Sequence, residues 1–68
     1  MDRNWKSVFF TNQLHLVEIV RAVLNDHEID SVAVDKRDSS YISVGDIEVF
    51  VPNEDAILAK IIIEQLAL

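Results

Sequence analysis

The sequence predicts an α+β fold: a two-layer sandwich in the order β-α-β-β-α, with a three-stranded, mostly antiparallel sheet and two helices on one face. Three observations carry this. Short runs rich in β-branched and aromatic residues recur at "WKSVFF" (5–10), "SVAVD" (31–35) and "IEVFV" (47–51), the composition of strands. Apolar residues at helical spacing fill the gap between the first two runs and follow the third. The chain has 68 residues, the size of one domain, residues 1–68.

The first strand has apolar residues in both alternation phases, Trp5 and Phe9 in one, Val8 and Phe10 in the other, so both of its faces are expected to be partly covered. Thr11 or Asn12 then offers an oxygen to cap a helix from about Gln13 to Asp26. Its apolar stripe is Leu16, Val17, Val20, Val23 and Leu24, widened by Leu14 and Ile19, with Glu18 and Arg21 as an i, i+3 pair facing solvent. The second strand puts Val32 and Val34 in one phase and Ser31 and Ala33 in the other. Tyr41 to Val44 is also strand-like, but out of phase with Ile47, Val49 and Val51. Gly45 and Asp46 are expected to absorb that shift as a bulge or a tight turn. "PNED" (52–55) closes the last strand and opens a second helix, with Asn53 as its cap and Glu54 and Asp55 in the first turn, where the helix dipole favours negative charge. From Ala56 to about Leu66 nearly every residue is apolar; Ile57, Leu58, Ile61 and Ile62 are expected to face the core. Strand 1, its helix and the later hairpin form a split β-α-β unit, a truncated ferredoxin-like arrangement. If the third strand lies between the other two, the first becomes an apolar edge, which invites pairing with a second copy.

Composition narrows the function. Half the residues are hydrophobic, a surplus in a chain too short for a large interior, and such surplus ends up between subunits or against a partner. Trp5, Phe9, Phe10, Phe50, Ile63 and Leu66 are the candidate interface residues of a homo-oligomer, a dimer or trimer, or of a contact with another protein. Twelve acidic residues against six basic ones give a net charge of −6, which argues against nucleic acid and anionic membrane surfaces as partners. There is no cysteine and no run of apolar residues near the length of a membrane span, so the expected location is the cytoplasm.

The whole chain resembles a known family. On "WKSVFFTNQLHLVEIVRAVLNDHEI", "VDKRDSSY" and "GDIEVFVPNED", over roughly residues 4 to 64, it is similar to small prokaryotic domains described as signal-transducing proteins, a domain-of-unknown-function family. The resemblance implies the same β-α-β-β-α order, a fold like that of the nitrogen-regulatory PII-like trimers, and a regulatory role in a bacterial cell. It supplies no catalytic or ligand residue.

The residues themselves point away from catalysis. His15 and His27 lack the i, i+4 spacing of metal ligands, and the acids Asp26, Glu28 and Asp30 lack the glycine and terminal glutamate of a calcium loop. No nucleophile elbow is present, and the single glycine, Gly45, cannot build a phosphate cradle. No metal, cofactor or enzymatic activity is expected. One polar cluster stands out: Lys36, Arg37, Asp38, Ser39, Ser40 and Tyr41 combine the only adjacent basic pair with three hydroxyls. Turn chemistry accounts for Asp and Ser there, while the cations and hydroxyls together could accept an anion or a partner's carboxylate. The expectation is therefore a non-catalytic regulatory or interaction domain that self-associates through an apolar sheet or helix surface. The alternative is a small-metabolite, nucleotide or anion sensor with its ligand at a subunit cleft near residues 36–41.

Overall fold

A computed structural model describes residues 4–36 and 47–68. Strand β1 (Trp5–Thr11) leads into helix α1 (Leu14–Asp26), followed by β2 (Val32–Asp35), β3 (Ile47–Pro52), a single 3-10 turn (Asn53–Asp55) and helix α2 (Ala56–Leu66). The sheet order is β1-β3-β2, and β3 runs antiparallel to both neighbours. β1 is therefore an edge strand, as expected if β3 takes the centre. The expected strand at 41–44 and the phase correction at Gly45 and Asp46 lie outside the described residues.

Both helices cover one face of the sheet. Ile47, Val49 and Val51 of β3 meet Val17, Val20 and Leu24 of α1 and Ala56, Ala59 and Ile62 of α2 in one buried cluster, joined by Ile29 from the loop after α1. Full burial of each large member contributes about 1.5–3 kcal/mol. For α1 the expected stripe holds at its centre, but Leu14 and Ile19 are exposed.

For α2 the expected face is wrong. Ile57, Leu58 and Ile61 point to solvent, and of the four expected core residues only Ile62 is buried. The helix is anchored at its start. Pro52 is buried opposite Trp5, and the N–H of Asn53 donates to the carbonyl of Asn4 at 2.7 Å. That clip sets the helical phase so that Ala56 lands on the sheet, and Ala59, Ile62, Ile63 and Leu66 follow at 3.6 residues per turn. The two alanines let the helix backbone approach closely, which the isoleucines could not. Asn53 does not cap with its side chain; it begins the 3-10 turn.

A register shift in β1 decides which side chains reach the core. Ser7 pairs with Phe50, but Phe9 pairs with Val49, leaving Val8 as the extra residue of a bulge. Alternation alone would separate Val8 from Phe9; the bulge instead packs both against the core. The same shift puts Trp5 and Phe10 together on the outer face, where simple alternation would oppose them.

Turn chemistry closes α1. Glu28 adopts a left-handed conformation with φ of 60°. The N–H of Ile29 donates to the carbonyl of Leu24 at 2.9 Å, and that of Glu28 to Asn25 at 2.9 Å. This is a Schellman motif, and its usual apolar contact is Ile29 against Leu24, both in the core. At the other end Thr11 accepts a hydrogen bond from the Gln13 N–H at 3.2 Å, and no side chain caps the helix proper. Arg21 does not pair with Glu18 as expected. Its Nε donates to Ser31 Oγ at 3.3 Å and its Nη2 to the Ser31 carbonyl at 3.4 Å, tying α1 to the start of β2.

Candidate functional site

The outer face of the sheet, away from the helices, is the candidate site. β3 turns Ile47, Val49 and Val51 inward, so Glu48 and Phe50 between them point outward. β2 pairs Val32 with Phe50 and Val34 with Glu48, which places both valines on that same outer face and leaves Ala33 and Asp35 in the opposite phase. On the far side of β3, Trp5 completes an open apolar hollow of about 220 Å³ lined by Trp5, Val32, Val34 and Phe50. Phe50, on the central strand, is its floor. Val32 and Val34 are 41% and 40% exposed and Phe10, farther along β1, is 60% exposed. Among the described residues no element covers this face.

Beside the hollow lies an ion pair. Lys36 Nζ donates to Glu48 Oε1 at 2.8 Å. The Glu48 carboxyl is held below the usual carboxylate range, first by that hydrogen bond, then by one from Ser7, and finally by the charge of Lys36, with partial burial opposing all three. The face is therefore apolar with one internally compensated ion pair. Ser7, hydrogen-bonded to Glu48, is the further polar group at that pair.

Of the residues singled out from the sequence, Trp5, Phe10 and Phe50 share this face. Phe9, Ile63 and Leu66 are half-buried and pack against the core on the opposite side of the sheet. Lys36 stands at the end of β2 with its charge engaged by Glu48, while Arg37, Asp38, Ser39, Ser40 and Tyr41 lie outside the described residues. His15 and His27 are both exposed, and among the described residues no three His, Asp or Glu side chains converge as metal ligands. Sequence reasoning missed Val32, Val34 and Glu48. The signal was present in the alternation of β2, but its facing follows only from the pairing with Phe50.

A protein-family model described as "Putative prokaryotic signal transducing protein" matches residues 5–67. The match spans every element from β1 to α2. The chain belongs to this family. The family description names signal transduction without a reaction, a ligand or a partner. No curated protein and no solved structure matches the chain. Among the described residues of this family member, no helix is long and apolar enough to cross a membrane.

Proposed function

We propose that this member of the signal-transducing family is a non-catalytic interaction domain whose mechanism is association, with a second copy of itself, across the outer face of the sheet. The observation that carries the reading is the apolar hollow of Trp5, Val32, Val34 and Phe50, with Phe10 exposed on the same face, which no helix covers among the described residues. Charge supports a like partner. The Lys36–Glu48 pair is compensated within one copy, so two identical faces can meet without opposing unpaired charges, as a two-fold contact requires.

The size of the face sets the affinity. Three strands about 4.8 Å apart and about 20 Å long give a footprint on the order of 300 Å² per copy. The total of about 600 Å² is below the roughly 1,200–2,000 Å² of stable specific interfaces, so the contact is weak and reversible. Sedimentation velocity across micromolar concentrations tests it, with Val34→Glu as the comparison. Val34 is exposed on an edge strand, so the variant keeps its fold while placing a charge in the contact. Wild type is expected to sediment faster as concentration rises, and the variant to show a clearly smaller rise because the sheet-face contact is lost. Identical behaviour of the two proteins would overturn the sheet-face reading.

A further inference from the structure

Helix α2 carries a second apolar surface on the opposite side of the molecule. Eight of its eleven residues are apolar, yet only Ala56, Ala59 and Ile62 are buried, with Ile63 and Leu66 half-buried beside them. At 3.6 residues per turn, Ile57 and Ile61 lie roughly opposite the centre of that buried arc. Their exposure agrees: Ile57 is 77% and Ile61 46% exposed, with Leu58 at 51% on one flank. A helix that is apolar all round is ordinarily covered all round. The sheet supplies one cover, and the described residues supply none for the other side.

We infer that α2 is a second self-association surface, which packs antiparallel against α2 of another copy. The charges on its flank select this occupant. Lys60 and Glu64 stand one turn apart on the same flank of the Ile57–Ile61 stripe. Among the described residues neither takes part in a salt bridge. A two-fold axis between antiparallel helices brings like flanks together with their directions reversed. With the axis near residue 62, Lys60 of each copy faces Glu64 of the other, twice per pair, and Ile61 meets its own counterpart at the centre. A parallel two-fold pairing would instead set the Lys60–Glu64 flank against the partner helix's other flank, that of Leu58 and Gln65, and pair no charges. The surface is thus charge-complementary to itself in one orientation only.

This contact lies on the opposite side of the molecule from the sheet face and does not depend on it. If both contacts form, each copy joins two neighbours, and alternating sheet and helix contacts build a closed tetramer or an open row, depending on whether the two axes intersect. A single helix pair about 16 Å long makes a weak contact, so the open row forms only at high concentration.

Charge exchange tests it by sedimentation equilibrium at low salt, on wild type, Lys60→Glu, Glu64→Lys, the double variant, and an equimolar mixture of the two single variants. Both positions are exposed, and a thermal melt by circular dichroism verifies that each variant is folded. Each single exchange is expected to weaken the helix contact at least about threefold, because it sets like charges opposite each other. The double variant should return to wild-type association, and the mixture should associate more tightly than either single variant alone. Net charge cannot mimic this pattern. Lys60→Glu moves the charge of −6 further from zero and Glu64→Lys moves it closer, so a net-charge effect would weaken one and strengthen the other. That divergent result, or a double variant that fails to recover, would overturn the inference. The pattern is read independently of Val34→Glu, so loss of the sheet contact leaves it standing, and the reverse.

Discussion

Glu28 holds the left-handed position of the α1 Schellman turn, where glycine is the usual residue because it lacks a Cβ. A side chain there costs about 1–2 kcal/mol in the folded state, and glycine would give back part of that through a more flexible unfolded chain. Glu28→Gly is therefore expected to raise stability by about 0.5 kcal/mol in urea denaturation; a loss would mean that the glutamate side chain itself holds the turn. Glu48 makes the opposite kind of contribution, one that depends on pH. Its folded pKa is depressed, chiefly by the hydrogen bond from Lys36 and then by Ser7. The stabilisation is thus present above the unfolded glutamate pKa of about 4.3 and is lost as pH falls through the lower folded value. Lys36 is half exposed, so solvent screening limits the effect to about 0.5 kcal/mol. Wild type should exceed Glu48→Gln by that amount at neutral pH in low salt, and the two unfolding curves should converge at acid pH. A difference that persists below both pKa values would assign it to packing.

At the scale of elements, sequence and structure agree where composition alternates and part where it does not. The order β-α-β-β-α and the Val17–Val20–Leu24 core of α1 were legible because polar residues alternate with apolar ones on a clear period. α2 offered no such contrast. With isoleucine, leucine or alanine at eight of eleven positions, its period selects no face, and the choice fell to the Asn53–Asn4 clip and the small size of Ala56 and Ala59. The bulge at Val8 was equally hidden, since an inserted residue changes the facing of Phe9 and Phe10 without changing strand composition. Of the candidate site, Trp5, Phe10 and Phe50 were legible as surplus aromatics, whereas Val32 and Val34 waited on strand pairing. Substitution separates the two sides of α2. Ala59→Leu should cost about 1–3 kcal/mol by overpacking, and Ile57→Ser should change monomer stability by less than about 0.5 kcal/mol. Comparable costs at both positions in chemical denaturation of the dilute protein would contradict the observed facing.

The whole molecule is a thin slab, with Cα extents of 34 × 31 × 15 Å, and its shape follows from the element count. One layer of two helices covers one face of a three-stranded sheet and leaves apolar surface on both broad sides. A domain this small hides a limited fraction of its surface alone, and the proposed association would bury more of it. Trp5, the only tryptophan in the chain, lines the outer hollow and reports that association directly. The decisive measurement is acrylamide quenching of Trp5 emission across a range of protein concentrations. Protection of Trp5 that grows with concentration in wild type and is absent in Val34→Glu is the predicted result; quenching that is the same at every concentration would contradict the sheet face as the site of association.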